Sequence, residues 1–231
     1  EAERLTMARE TEALRAQQMT TLAQLATGVA HEIRNPLTSI KMLIQVNRDK
    51  FADEGLPTDD LELVEQEIRR MERSVNSLLE FARPEQGEHA TFPIQNVIRK
   101  TIQLIEGRCG QQGVKLVVDC DESPIPIEGD ASQLQQLLLN LSLNALDAMP
   151  EGGELTIRAK VNDGCLQLSV LDSGEGIRED MLAKLFTPFS TSKPTGVGLG
   201  LGICRRIANA HGGTLIGENR IQAGAEFRLT L

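Results

Sequence analysis

Tryptophan and tyrosine are absent from this chain, and phenylalanine occurs only six times in 231 residues. So few rings leave no platform for stacking single-stranded bases. The formal net charge of −9 also argues against binding a phosphate backbone, so nucleic acid is not an expected partner. No run of ~18 apolar residues occurs, so no segment reads as a bilayer-spanning helix and no membrane contact is expected. The four cysteines, at 109, 120, 165 and 204, show no CxxC spacing. They read as reduced, buried, inert thiols of a cytoplasmic protein, not as a disulfide frame or a zinc site. An initiator Met and a signal-peptide pattern are lacking at Glu1, so the chain is expected to be part of a longer protein. An upstream membrane anchor is left open.

What the chain does have begins with Ala30-His31-Glu32-Ile33-Arg34-Asn35-Pro36-Leu37. Around it, Leu22, Leu25, Val29, Ile33, Ile40 and Leu43 recur at helical spacing and predict one core-facing stripe. At ~100° per residue His31 points away from that stripe. An exposed imidazole there can take a proton, bind a metal or act as a nucleophile. The pattern His-Glu-x-x-Asn lacks the second histidine of HExxH, which excludes a zinc protease. Pro36 is expected to kink the helix. Residues 1–21 favour helix but carry a weak apolar seam, as in a lead-in or coiled-coil tail.

Asp53-Glu54-Gly55-Leu56-Pro57 is turn chemistry, and Val64, Ile68, Met71, Val75 and Leu78 then form a second helical seam. Two amphipathic helices joined by a short loop make a hairpin. One hairpin buries too little apolar surface alone, so a homodimer pairing two hairpins into a four-helix bundle is predicted. Pro84-Glu85-Gln86-Gly87-Glu88 reads as a linker. Beyond it the pattern predicts a helix around 97–105, strands at 114–119 and 125–128, a helix at 132–149, and a strand pair at 155–161 and 166–171 around Asn162-Asp163-Gly164. A helix at about 199–211 and strands at 214–217 and 225–231 follow. A mixed sheet with helices on one face, an α/β two-layer sandwich, fits this order.

Three motifs lie in this half. Asn140 and Asn144 are four residues apart on one helix and share a face. Amide oxygens with a few waters suit Mg²⁺. In Asp172-Ser173-Gly174-Glu175-Gly176, a carboxylate at a strand end can accept from an exocyclic amine, while the glycines let the backbone approach a flat ring. Gly196, Gly198, Gly200 and Gly202 alternate at a helix start, where backbone N–H groups suit phosphate. The run is neither a dinucleotide fingerprint nor a P-loop, because the βαβ setting and GxxxxGK[ST] are both missing. Between the last two motifs, Phe186–Pro194 is polar and Pro-rich with two Phe anchors. It suits a mobile lid with Lys193 able to reach phosphates.

In this order the motifs resemble those of bacterial sensor histidine kinases. In that family a dimerisation and phosphoacceptor hairpin precedes an ATP-binding domain of the gyrase and chaperone type. The likeness runs over about residues 22–231, and "PFSTSKP" with "GVGLGLGICRRI" is similar to the short-lid, nitrogen-regulation kinases. The resemblance implies a lead-in at 1–21, the hairpin at 22–84, a linker at 85–91 and the ATP-binding domain at 92–231. It implies ATP and Mg²⁺ as cofactors, autophosphorylation of His31, transfer to an aspartate of a response-regulator receiver domain, and phosphatase activity toward that regulator. Glu32 would be the base and would fix the His31 tautomer, and Asn35 would orient a dephosphorylating water. Asn144 would ligate Mg²⁺ with Asn140 beside it, Asp172 would read adenine with Gly174 and Gly176 lining it, and Gly196, Gly198, Gly200 and Leu201 would hold the phosphates. One departure is Asp147, where many members carry a base; Lys193 or Arg205 is expected to replace it. Two other readings stand beside this one: a nucleotide-responsive scaffold without catalysis, and a gyrase- or chaperone-like ATPase. Neither has a use for an exposed histidine kept together with the ATP motifs. The stimulus, the regulator and the choice between labelling within or across subunits are not legible.

Overall fold

The computed structural model describes residues 33–82, 89–121, 123–191 and 198–231. The chain divides into two compact units near Pro84. The N-terminal lead-in, Leu22, Leu25 and Val29 lie outside the described residues.

The first unit is a helical hairpin of α1 (residues 33–53) and α2 (Asp59–Ala82). α1 is continuous through Pro36. It ends in a left-handed cap at Gly55 (φ 69°), where the Leu56 amide donates to the Phe51 carbonyl at 2.8 Å. A polar ladder sets the register of the two helices. Arg34 donates to Asn76 (2.8 Å), Lys41 to Glu72 (2.9 Å) and Arg48 to Glu65 (2.5 Å). The three basic residues are seven apart, two turns of helix, so they share one face. Glu65 is only 2% exposed, and Gln45 and Arg69 also donate to it. A buried carboxylate needs that many donors to offset its lost hydration.

Leu37, Ile68 and Val75 are buried between the helices. Other members of the expected stripes are exposed: Ile33 40%, Ile40 44%, Leu43 64%, Val64 41% and Met71 46%, with Val46 beside them at 61%. Within one chain this stripe faces outward, because the ladder claims the side of α1 that meets α2. Leu78 lies outside the described side chains.

The second unit holds β1 (Ala90–Pro93), α3 (Ile94–Gln112), β2 (Val114–Cys120), β3 (Pro126–Gly129), α4 (Ala131–Asp147), β4 (Gly153–Asn162), β5 (Cys165–Leu171), α5 (Glu179–Leu182), α6 (Gly200–Ala210), β6 (Thr214–Asn219) and β7 (Ala225–Thr230). The main sheet runs β2-β4-β5-β7-β6, with β2 parallel to β4 and the other pairs antiparallel. Its alternate residues Leu155, Ile157, Ala159, Leu168, Val170, Phe227 and Leu229 are buried. They meet α4, whose Leu134, Leu137, Leu138, Leu141 and Leu146 are at most 1% exposed. Each such leucine contributes about 2 kcal/mol of burial. α3 and α6 flank α4 over the sheet. Ion pairs such as Arg158–Asp119 and Arg228–Glu218 link neighbouring strands.

Two short elements were not expected, β1 and α5. β1 is four residues long and is stabilised by antiparallel pairing with β3, far along the chain. The thiols also differ from expectation. Cys109 and Cys204 are buried, but Cys120 is half-buried and Cys165 is exposed, because it opens β5 beside the hairpin turn.

Candidate active site

Asp172 follows β5 directly and is 3% exposed. Its Oδ1 accepts from the Gly174 amide (2.9 Å) and the Ala225 amide (3.1 Å). Both bonds fall on one oxygen, so Oδ2 is left to meet a donor such as an exocyclic amine. Burial pushes the carboxyl above its usual range, against those two amides and the nearby Arg220 charge. Arg220 also donates to the Asp172 carbonyl at 2.7 Å. Asn219, at the end of β6, clamps the loop from the other side, accepting from the Ile177 amide (2.6 Å) and donating to its carbonyl (2.7 Å).

The two glycines of this loop do something other than expected. A Cβ on Gly174 would lie 2.5 Å from the Ala148 carbonyl oxygen, and one on Gly176 would lie 2.8 Å from Asn219 Oδ1. Their missing side chains make room for Ala148 and Asn219. The same holds for Gly198 (φ 72°), whose Cβ would meet the backbone of Phe189 and Ser190. Gly200 is different: nothing stands within 4 Å of the place its Cβ would take.

Gly200 opens α6, an eleven-residue helix whose N-terminus has no side-chain cap. Its first-turn amides, Leu201 among them, are therefore left for a ligand. α6 lies on α4, and two contacts fix the register. The Asp130 amide donates to His211 Nε2 (2.9 Å), and Cys204 Sγ lies 3.7 Å from the Leu137 carbonyl. Both pairs are seven residues apart on each chain segment, so the helices run antiparallel in step. That register carries Asn140 level with Leu201 and sets Asn144 beyond the start of α6. Asn140 also hydrogen-bonds the fully buried Cys204 thiol, whose pKa burial pushes up to about 12. Asn140, Asn144, Gly200 and Leu201 are thus brought to one end of the α4–α6 pair.

His31, Glu32, Lys193 and Gly196 lie outside the described residues. Asn35 is exposed on α1. Arg205 stands over the Phe186 ring, 5.5 Å from its centroid. Asp147 itself pairs with Arg108 of α3, at 2.5 Å. Sequence reading missed Arg108, and also Asn219, Arg220 and Ala225, since each acts on a partner far away in the chain. Sequence reading also missed His211, whose Nε2 accepts from the Asp130 amide (2.9 Å) while Nδ1 faces the Ile207 carbonyl (2.8 Å).

Residues 129–231 match the family of histidine kinase-, DNA gyrase B- and HSP90-like ATPases, and residues 21–87 match the His kinase A phosphoacceptor domain. Sporulation kinase D of Bacillus subtilis is 35% identical over 219 residues, 94% of this chain and 43% of that protein. The catalytic domain of histidine kinase ThkA is 32% identical with a TM-score of 0.58, over 62% of this chain and 97% of that one. ThkA in complex with response regulator protein TrrA is matched over 97% of this chain and 65% of that one, at 28% identity and a TM-score of 0.69. Full-length ShkA in complex with AMPPNP is matched over 90% of this chain and 45% of that one, at 27% identity and a TM-score of 0.72. An ATPase layer of this kind behind a phosphoacceptor hairpin is the architecture of a protein-histidine kinase core. The chain belongs to the family of bacterial two-component sensor histidine kinases. It spans about half the length of the curated relatives it matches, 43% and 47% of the first two.

Proposed function

We propose that the chain transfers the γ-phosphoryl group of ATP to His31 and passes it on to an aspartate of a response-regulator receiver domain. The observation that carries this reading is Asp172, held through Oδ1 alone, in the same domain as an uncapped α6 start level with Asn140. One end suits adenine and the other suits phosphate. ShkA solved with AMPPNP and ThkA solved with TrrA support ATP and a response regulator as partners.

In this reading a neutral ring nitrogen of His31 forms a P–N bond while the bond from the γ-phosphorus to the β-phosphate oxygen breaks and ADP leaves. Glu32 accepts from the other ring N–H and so fixes the tautomer. The first-turn amides of α6, Gly200 and Leu201 among them, receive the phosphates with Gly196 and Gly198 of the preceding loop, and Lys193 adds positive charge from the lid. Among the described residues no group of three or more His, Cys, Asp and Glu could hold a metal ion. Mg²⁺ fits this setting, because it keeps much of its water and takes its remaining ligands from amide oxygens and ATP. Asn144 would hold the ion, with Asn140 close by to meet the phosphates or the ion's water. When bound it neutralises phosphate charge.

The exposed face of Ile40, Leu43 and Val46 supports a homodimer, since a second hairpin would cover it. Asn35, exposed and four residues after His31, would orient a water for dephosphorylating the regulator.

The test is incorporation of label from γ-labelled ATP. His31→Ala should abolish labelling while an ATP analogue still binds; labelling that persists overturns the assignment. Asn35→Ala should spare labelling and slow dephosphorylation of the regulator, and an unchanged phosphatase rate removes the role given to Asn35.

A further inference from the structure

His211 is the last point of contact between α6 and the start of α4. The Gly212 turn (φ 68°) ends α6 there and leaves the imidazole clamped on two sides. Nδ1–H donates to the Ile207 carbonyl of its own helix at 2.8 Å, and Nε2 accepts from the Asp130 amide at 2.9 Å. Asp130 is the N-cap of α4. Its carboxylate faces the other way and accepts from the Ser132 and Gln133 amides. Gly129 lets the backbone reach the ring, since a Cβ there would lie 2.5 Å from His211 Cδ2. The His89 ring, just ahead of β1, stacks on His211 with centroids 5.6 Å apart and planes 23° apart.

We propose that His211 is a positioning residue for ATP binding: the neutral imidazole pins the far ends of α4 and α6, and protonation of the ring releases them. The proposal rests on the ATP-binding reading above. The reasoning is geometric. α4 carries Asn140 and Asn144, and α6 carries the phosphate-facing amides. The helices touch midway at Leu137 and Cys204, at one end through His211, and at the other end around the nucleotide. With the His211 end open, α6 is held on α4 by its remaining packing, including Cys204 against Leu137 and Asn140, and ATP must restore the register itself. A backbone N–H can only donate, so a second proton on the imidazole removes the acceptor and sets two donors face to face. The titratable groups at the ring are His89, stacked on it, and Asp130, whose carboxylate is engaged with α4.

The experiment measures binding of a non-hydrolysable ATP analogue with Mg²⁺ to the whole chain between about pH 8 and pH 5, the range over which histidine titrates. His211→Ala should weaken binding about threefold to tenfold at every pH, the range of one lost hydrogen bond. His211→Gln offers an acceptor at the Nε2 position. It should bind like the parent at pH 8 and lose the part of the acid decline that belongs to His211, keeping any part that belongs to Asp172. His89→Ala should keep the full decline. Gly129→Ala, which pushes the ring out without changing it, should reproduce His211→Ala. Imidazole ¹⁵N shifts of the parent should show the Nδ1–H tautomer at neutral pH. Should His211→Ala fail to fold, His211→Gln and Gly129→Ala still decide. The idea is overturned if His211→Gln keeps the parent's full acid decline, or if His211→Ala lowers the melting temperature while affinity stays unchanged. A parent chain that binds no nucleotide would instead overturn the ATP-binding reading itself.

Discussion

Arg108 Nη2 lies 2.5 Å from Asp147 Oδ1, tying the last turn of α3 to the last residue of α4. Arg108 Nε also holds the Gln112 side chain, and Gln112 donates to the Leu146 carbonyl. Asp147 is three residues after Asn144, so the two share a helix face. A carboxylate there would repel phosphates. The guanidinium that neutralises it arrives from a different helix.

The first prediction concerns that pair. Arg108→Ala takes one positive charge away from Asp147 and should raise the KM for ATP about threefold, the scale of one unit-charge repulsion across several ångströms of water. Adding Asp147→Asn should restore it. Stability should change little, because both groups are more than a third exposed. Autophosphorylation kinetics on the two single variants and the double variant measure the coupling. An unchanged KM in Arg108→Ala would show that the pair is structural only.

The second concerns Asp172→Asn. The amide keeps an oxygen for the Gly174 and Ala225 N–H groups but turns a donor toward the adenine amine. ATP affinity should fall roughly tenfold to a hundredfold, as expected when a buried polar group loses its partner. Stability should move the other way. Burial raises the Asp172 pKa, so its ionised form costs folding free energy above that raised value, and the cost fades as pH falls through it. The variant should therefore melt higher than the parent at pH 7, and the gap should narrow on acidification. Thermal melts at pH 7 and pH 4 measure this; a variant that melts lower at pH 7 would mean that the carboxylate is a net stabiliser.

A third prediction follows from the outward face of α1. Leu43→Glu combined with Val46→Glu places two charges on residues 64% and 61% exposed in the single chain. The hairpin should still fold, while sedimentation should show a dimer for the parent and a monomer for the variant. A variant that remains dimeric would locate the interface elsewhere.

Much of the fold was legible because its information is local. Period-two alternation marked β4 and β5, leucine spacing marked α4, and Asn162-Asp163-Gly164 marked the turn between the strands. Asp172 and Asn140 were legible for the same reason, each being part of a contiguous motif. What stayed hidden is carried by distant partners. Arg108 and Asp147 are 39 residues apart, Asp172 and Ala225 are 53 apart, and Asp130 and His211 are 81 apart. No window of sequence contains both members of such a pair. The loop glycines were misread for a related reason. Their residue type announces close approach, but only the fold says that Ala148 and Asn219 are what approaches. The α1 stripe was read correctly as apolar, and its direction followed from the polar ladder, whose two halves sit on separate helices.

The place of β7 bears on how the protein is made. β7 is the last strand in chain order, yet it lies between β5 and β6 in the sheet. While a ribosome is still extruding the chain, β5 has an unfilled edge and β6 has no neighbour. Asp172 acquires its second amide only when Ala225 emerges. A nascent chain therefore lacks the full set of bonds to Asp172 until β7 has left the exit tunnel, so synthesis itself delays completion of the proposed nucleotide site.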